Sequence, residues 1–188
     1  MLPLLCCTYL LFFRMKRIFL IGYMGCGKTT VGSLLALKLG YSFIDLDTYI
    51  ENRYVKKIAE IFAEKGENTF REIEHRMLAE VSELENVVVS TGGGAACFFN
   101  NIEIMNKSGI SVYLKLSAKK LAERLHKAKA MRPLIKDKTD EELPVFISDG
   151  LSKREKFYMQ ASFIINNEDM DPTPVCDKII SIVNNQLA

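Results

Sequence analysis

The chain has 188 residues, of which 48% are hydrophobic and 26% charged, and these proportions predict one globular domain with a full core rather than a disordered chain. Its 25 Lys and Arg against 23 Asp and Glu leave a net charge of +2, which gives no reason to expect a nucleic acid or another polyanion as partner. The five cysteines show no zinc-ligand spacing and no CxxC pair, so we expect a reducing, cytoplasmic location.

The N-terminal residues 1–13 are almost wholly apolar and are followed by Arg14, Met15 and Lys16. A signal peptide would carry positive charge before its apolar segment, and a bilayer span would need about 20 residues. We therefore expect no membrane association. The favoured interpretation is that translation begins at Met15, that residues 1–14 are a non-native or disordered extension, and that residues 15–188 form a single domain. Mass spectrometry of the native protein tests it, since an intact N-terminus at Met1 would contradict it.

Residues 22–30 read GYMGCGKTT, between an apolar run at 18–21 and a helical pattern at 31–39. They fit G-x-x-x-x-G-K-[ST], the P-loop. The glycines let successive N–H groups point at phosphates, and the N-terminus of the next helix adds partial positive charge. Lys28 is expected to reach the β- and γ-phosphates, and Thr29 to place its hydroxyl on Mg²⁺. The residues expected to contact the nucleotide are Gly22, Gly25, Cys26, Gly27, Lys28, Thr29 and Thr30.

Strands and helices alternate along the rest of the chain. Hydrophobic runs predict strands at 16–21, 41–45, 87–90, 110–116 and 163–166. Helical spacing predicts helices at 28–39, 48–84 with a break at Gly66, 118–125, 141–162 and 175–185. This alternation predicts an α/β fold with a parallel sheet covered on both faces.

Two strand ends carry candidate ligand-binding residues. Asp45 and Asp47 follow the second strand, and three glycines at 92–94 follow the third. Open α/β sheets bind ligands at the carboxyl ends of their strands, and consecutive glycines there permit close approach. P-loop proteins often end a hydrophobic strand with a metal-binding Asp, but the 87–90 strand runs into Thr91, so Asp45 or Asp47 must serve. The segment 106–109 lacks the Asp of a guanine-reading N-K-x-D motif, which favours ATP over GTP.

The combination resembles the shikimate kinase family, over nearly the whole chain from Met15 onward. The matching features are the P-loop, Asp45-Leu46-Asp47, Phe70-Arg71 followed by Glu74, Gly92 to Gly94, Arg132-Pro133-Leu134, and Arg154 shortly before Tyr158. The resemblance implies a three-layer P-loop kinase fold with a five-stranded parallel sheet and a mobile lid. It also implies transfer of the γ-phosphate of ATP, with Mg²⁺, to the 3-hydroxyl of shikimate, in aromatic amino acid biosynthesis. A monomer is expected.

On the nucleotide side, the resemblance assigns Lys28 to the phosphates and both Thr29 and Asp45 to the Mg²⁺ site. Arg132 matches the lid arginine that closes over the phosphates and stabilises the transferring charge. Family members often carry a further lid arginine, but this chain has lysines there, so no second one is assigned. The adenine contact is expected near residues 167–172 without named residues.

On the acceptor side, the resemblance assigns Asp47 to the shikimate hydroxyls, where a carboxylate can orient the attacking oxygen or take its proton. Arg71 and Arg154 match the arginines that bind the shikimate carboxylate, a role suited to the planar guanidinium, and Glu74 would hold Arg71 in place. Backbone N–H groups of Gly93 and Gly94 would also contact the substrate.

Simpler interpretations of these residues remain open at this stage. An isolated Asp-x-Asp is more often a helix cap, and Arg71 with Glu74 three residues later could be a surface pair on a helix. Another small P-loop kinase, such as a gluconate or nucleotide monophosphate kinase, would share the loop and the lid. A nucleotide-binding regulatory protein is the alternative outside enzymes, although such a protein needs no acceptor-side carboxylate.

Overall fold

Five parallel strands form the centre of the molecule, whose computed structural model describes residues 17–127, 135–168 and 171–185. The strands are β1 (Arg17–Ile21), β2 (Ser42–Asp45), β3 (Val87–Ser90), β4 (Ile110–Lys115) and β5 (Phe163–Asn166). Within the described residues they form one sheet in the order β2-β3-β1-β4-β5. The five predicted strands and their parallel pairing are confirmed.

The central strands are buried on both faces. Residues 18–21 of β1 are fully buried, and Val87, Val88 and Val89 of β3 are at most 1% exposed. Because successive side chains of a strand point to opposite faces, burial of every side chain requires cover on both sides of the sheet. The continuous apolar runs of the sequence therefore correspond to the middle of a three-layer α/β fold.

The register brings three chain segments together at one edge of the sheet. Ser90 at the end of β3 lies opposite Leu20 on one side and Asp45 on the other. Beyond it, the Thr91 backbone N–H donates to the Leu20 carbonyl at 3.1 Å, and its hydroxyl donates to the same oxygen at 3.0 Å. The P-loop, the Asp45 segment and the glycines after Thr91 thus start from neighbouring strand ends.

Helices cover the sheet. They are α1 (Lys28–Leu39), α2 (Leu46–Tyr54), α3 (Ile58–Val81), α4 (Asn101–Ser108), α5 (Ala118–Lys127), α6 (Glu142–Tyr158) and α7 (Pro172–Asn185), with a 3₁₀ turn at Ala95–Cys97. Helix α1 packs on α7, α2 on α3, and α5 on α6. In the described part of the chain, no helix combines the length and the apolar composition that crossing a bilayer requires.

The helices differ from the predicted ones in number and in several of their bounds. The predicted 48–84 helix does break at Gly66, which has φ 75°, but it is also divided at Val55, which has φ 50°. Helix α4 and the 3₁₀ turn have no counterpart among the predicted elements. Helix α6 ends at Tyr158 rather than 162, and α7 begins at Pro172 because proline is well tolerated in a first helical turn.

Candidate active site

The P-loop has the backbone that its glycines predict. Gly22, Gly25 and Gly27 have φ values of 138°, 82° and 101°, which other residues rarely adopt. At Gly25 a Cβ would also lie 2.9 Å from the Leu125 side chain of α5. The loop therefore turns tightly into α1, whose first backbone N–H groups face the space where a phosphate would bind.

Lys28 lies against its own loop. Its Nζ donates to the carbonyl of Gly22 at 2.8 Å and to that of Tyr23 at 3.1 Å, and the residue is 8% exposed. These bonds hold a buried cation beside the loop, where it can pair with phosphate oxygens. Cys26 is different, because its side chain is buried in the core, its N–H donates to the Tyr23 carbonyl at 3.2 Å and its carbonyl accepts from the Asn167 amide at 2.8 Å.

Thr29 and Asp45 meet as the sequence predicts. The Thr29 hydroxyl donates to Asp45 Oδ2 at 2.9 Å, and Asp45 Oδ1 accepts from the Thr48 N–H at 3.4 Å. Asp45 is therefore both the N-cap of α2 and a neighbour of the P-loop hydroxyl. A hydroxyl and a carboxylate are hard oxygen donors of the kind Mg²⁺ prefers, and this ion commonly takes only one or two carboxylates beside phosphates and water. The pair fits a Mg²⁺–nucleotide site.

Asp47 lies half-buried on the wall of the same cleft. Burial, followed by the nearby Asp45 charge, raises the pKa of its carboxyl, while Lys28 and Arg71 act in the opposite direction. A carboxylate whose pKa is raised is a stronger hydrogen-bond acceptor for a hydroxyl than an ordinary surface aspartate.

Arg71 is held by carboxylates and an aromatic ring. Its Nη1 donates to Glu74 Oε2 at 2.8 Å, its Nη2 donates to Glu67 Oε1 at 3.1 Å, and its guanidinium lies 4.3 Å from the centre of the Phe98 ring. Glu74 is only 1% exposed, and burial raises its pKa although Arg71 opposes the shift. The surface-pair interpretation is therefore wrong, because the pair is buried and fixes the guanidinium.

The glycine loop, defined as residues 92–94, brings the two arginines together. A Cβ on Gly94 would lie 2.8 Å from both terminal nitrogens of Arg71, and one on Gly93 would lie 3.8 Å from Arg154 Nη1. The Arg154 guanidinium also lies 5.3 Å from the centre of the Tyr23 ring. The guanidinium groups of Arg71 on α3 and Arg154 on α6 thus both lie close to the backbone of the glycine loop. At Gly94 a Cβ would crowd the Arg71 guanidinium.

A cleft of about 300 Å³ joins the P-loop, the segment of Asp45 and Asp47, and Gly93 of the glycine loop. Its lining residues are Met24, Gly25, Gly27, Lys28, Thr29, Thr30, Asp45, Asp47, Ser90, Thr91, Gly93, Arg124 and Leu125. Gly22, Cys26, Gly94, Arg71 and Arg154 stand outside this lining, although Gly94 belongs to the glycine loop and the two arginines adjoin it. Arg132 lies outside the described residues.

Arg124 lines the cleft, and the sequence reasoning missed it. It stands near the end of α5, and a Cβ on Gly27 would lie 3.2 Å from its Nη1. That buried nitrogen has no hydrogen-bond partner among the described residues. Only its place just before the lysine-rich lid segment could have pointed to it.

Asn167 lies in the segment where the sequence predicts the adenine contact. It is 3% exposed, and its amide nitrogen donates to the Cys26 carbonyl at 2.8 Å. Its Oδ1 is buried without a partner in the described part of the chain. The residue therefore ties the end of β5 to the P-loop.

Comparison with known proteins gives one consistent result. A family model described as "SKI: Shikimate kinase" matches residues 24–184. A shikimate kinase from Parabacteroides distasonis is 58% identical over 156 residues, which cover 83% of this chain and 90% of that protein.

Solved structures agree. A crystal structure of shikimate kinase from Bacteroides thetaiotaomicron aligns with a TM-score of 0.85 at 47% identity, covering 90% of this chain and 99% of that one. A shikimate kinase from Acinetobacter baumannii in complex with shikimate aligns with a TM-score of 0.82 at 33% identity, covering 92% and 94% of the two chains.

Proposed function

The chain belongs to the shikimate kinase family, and from that premise we propose how its residues divide the work of the enzyme. The reaction is the ATP-dependent phosphorylation of the 3-hydroxyl of shikimate, which gives shikimate 3-phosphate and ADP and uses Mg²⁺. It is a step of the shikimate pathway. Phosphoryl transfer of this kind depends on positioning and on neutralisation of charge rather than on covalent chemistry by the protein.

The P-loop side holds the nucleotide. Backbone N–H groups of the loop and the Lys28 ammonium contact the phosphates, and Arg124 beside Gly27 adds a second cation to the nucleotide site. Thr29 and Asp45 hold Mg²⁺, which neutralises charge on the phosphates when it is bound. Arg132 closes over the phosphates from the lid and stabilises the charge that is transferred.

The glycine-loop side holds the acceptor. Arg71 and Arg154 bind the carboxylate of shikimate, and Glu74 keeps the Arg71 fork in orientation. Asp47 accepts a hydrogen bond from the 3-hydroxyl, aligns its oxygen with the γ-phosphate, and takes the proton as the new P–O bond forms. The N–H groups of Gly93 and Gly94 add neutral donors.

One observation carries this division of roles. Asp47, with its raised pKa, lies in the same cleft as Lys28 and the Thr29–Asp45 pair, so an acceptor hydroxyl on Asp47 would face phosphates on the P-loop. A protein that only binds a nucleotide has no need of such a carboxylate. Neither a gluconate kinase nor a regulatory role is favoured by any contact in the described residues.

We also propose that residues 15–188 are the kinase domain and that it acts as a cytoplasmic monomer without nucleic acid. The family match over 24–184 supports the domain, and the small net charge of +2 supports the lack of a polyanion partner. Cys26, Cys97 and Cys176 are free thiols, as is typical in a reducing compartment. The groups that we assign to the two substrates come from a single chain.

A coupled assay of ADP release tests the function. We expect turnover with shikimate and none above background with gluconate or nucleoside monophosphates, and phosphorus NMR of the product should place the new ester on the 3-hydroxyl. Equal turnover with gluconate, or ADP release that ignores the acceptor, would contradict the assignment. Wild-type protein with ATP and without an acceptor serves as the control.

A further inference from the structure

Tyr158 is the last residue of α6 and lies behind the acceptor side of the site. It follows Arg154 by four residues, so both side chains lie on one face of the helix. Its ring packs against Tyr113 of β4 with the ring centres 5.1 Å apart, and the residue is 1% exposed. A buried tyrosine hydroxyl normally finds a hydrogen-bond partner, and here the partner belongs to the glycine loop.

The Tyr158 hydroxyl donates to the carbonyl oxygen of Gly93. That carbonyl belongs to the peptide group that joins Gly93 to Gly94, and a trans peptide is planar with its N–H pointing opposite to its C=O. Fixing the Gly93 carbonyl therefore fixes the direction of the Gly94 N–H. This peptide lies at the centre of a turn that the Ala95 N–H closes on the Gly92 carbonyl at 3.1 Å, and neither glycine has a Cβ to restrict rotation of the peptide within the turn.

Arg154 acts on the same hydroxyl. Its positive charge opposes the rise in the Tyr158 pKa that burial causes, and the raised pKa keeps the hydroxyl protonated as a donor to Gly93. Arg154 Nη1 also lies within 3.8 Å of the place where a Cβ on Gly93 would stand. The hydroxyl thus adjoins both a peptide and a guanidinium that face the acceptor.

We propose that Tyr158 is a positioning residue, whose hydroxyl holds the Gly93–Gly94 peptide in the orientation that, beside the Arg154 guanidinium, receives the shikimate carboxylate. This inference rests on the function proposed above for Gly94 and Arg154. Tyr158 itself touches neither substrate. Its contribution is preorganisation, because both groups stand in their binding orientation before the substrate arrives.

Tyr158→Phe tests the proposal because it removes one oxygen and keeps the ring. We expect KM for shikimate to rise about fivefold to tenfold, in line with one lost hydrogen bond that orients a binding group. KM for ATP and kcat should stay within about twofold, since the P-loop side is untouched. Isothermal titration of shikimate without nucleotide should show the same loss of affinity.

Tyr113→Phe is the matched control. Tyr113 stacks on Tyr158, and its buried hydroxyl has no partner among the described residues, so its removal should leave both KM values unchanged. An unchanged KM for shikimate in Tyr158→Phe would overturn the proposal. A parallel rise in both KM values, or a loss of folding by circular dichroism, would also overturn it, because the hydroxyl would then serve the fold alone.

Arg154→Lys separates failure of this inference from failure of the proposed function. If Arg154→Lys raises KM for shikimate while Tyr158→Phe does not, only the role of Tyr158 is wrong. If neither variant raises KM for shikimate, the proposed acceptor site is in the wrong place. A variant that carries both Tyr158→Phe and Arg154→Lys should lose less shikimate affinity than the product of the two single fold-losses, because both changes disturb the same binding arrangement.

Discussion

Asp47 illustrates how a single residue links the electrostatics of the cleft to its chemistry. Burial and then Asp45 raise the pKa of its carboxyl, with Glu51 adding to the rise and with Lys28 and Arg71 opposing it. A raised pKa means that the folded protein binds a proton more tightly than the unfolded chain does. The contribution of Asp47 to folding stability is therefore greatest below the ordinary aspartate pKa of about 3.9 and falls as the pH rises from there through the raised pKa.

Asp47→Asn should therefore stabilise the free protein at pH 7 while it impairs catalysis. The amide removes the cost of a buried charge, and the gain should disappear near pH 4, where the wild-type carboxyl is itself becoming protonated. Urea unfolding of both proteins at pH 4 and pH 7 measures the difference. Asp137→Asn at an exposed position is the control and should shift neither curve. A lower free energy of unfolding for Asp47→Asn at pH 7 would contradict this account of the carboxyl.

Residues within a local motif were predictable, and residues positioned by distant packing were not. Lys28 and Thr29 follow from the P-loop spacing alone. The place after a strand limits the metal-binding carboxylate to Asp45 or Asp47, and the resemblance selects Asp45. Arg71 and Arg154 were assigned only by resemblance, because their approach to the glycine loop depends on how α3 and α6 pack. Arg124 was missed, since nothing in its neighbourhood distinguishes it from a surface arginine near a helix end.

Among the elements, strands were predicted more accurately than helix ends. Residues 87–89 are all valines and Ser90 is buried with them, because the strand is buried on both faces, and such a run predicts a strand at this place. Helices α2 and α3 instead separate at Val55, a β-branched residue with φ 50° that carries no turn signal. Helix α4 begins just after Phe99, also at φ 50°, and has only eight residues, too few for a clear period.

The glycine loop permits a test in which activity and stability respond separately. A Cβ on Gly92 would lie 2.7 Å from Glu74 Oε1 and 2.8 Å from Asp47 Oδ1. Both atoms are ends of side chains that can move, so Gly92→Ala should fold and yet displace the two carboxyls. We expect kcat/KM for shikimate to fall about 10²-fold, in the range seen when a catalytic group is misplaced.

Gly40→Ala is the matched comparison. Gly40 closes α1 at φ 68° with open space around it, so alanine there should lower stability by about 1–2 kcal/mol and leave the kinetics unchanged. Thermal unfolding and steady-state rates of both variants give the result. An unchanged kcat/KM for shikimate in Gly92→Ala would mean that catalysis does not depend on the observed positions of the Asp47 and Glu74 carboxyls.

At the scale of the whole molecule, the alternation of strands and helices predicted a parallel sheet, and the structure confirms it. The strand order β2-β3-β1-β4-β5 could not be read from periodicity, because each pairing joins segments far apart in the chain and local patterns carry no information about partners. The resemblance to shikimate kinases implies this order. It also implies the lid, whose Arg132 lies outside the described residues.

Arg132→Ala tests the role assigned to the lid. If Arg132 acts only when the lid closes over the nucleotide, kcat should fall about 10²-fold or more, while shikimate affinity without nucleotide should change less than about twofold. Steady-state assays measure kcat, and isothermal titration calorimetry measures the affinity for shikimate without nucleotide. Lys136→Ala, an exposed lysine four residues later, should change neither. An equal loss of shikimate affinity without nucleotide would place Arg132 in the acceptor pocket instead.

The most direct test of the account is steady-state kinetics of Asp47→Asn beside Arg71→Lys, with circular dichroism to confirm folding. Asp47→Asn loses the charged acceptor that aligns the attacking oxygen, so kcat should fall about 10²-fold or more. Arg71→Lys keeps the charge but loses the planar fork held by Glu74, so KM for shikimate should rise with a smaller effect on kcat. Wild-type kcat in Asp47→Asn together with an unchanged KM for shikimate in Arg71→Lys would contradict the proposed acceptor site.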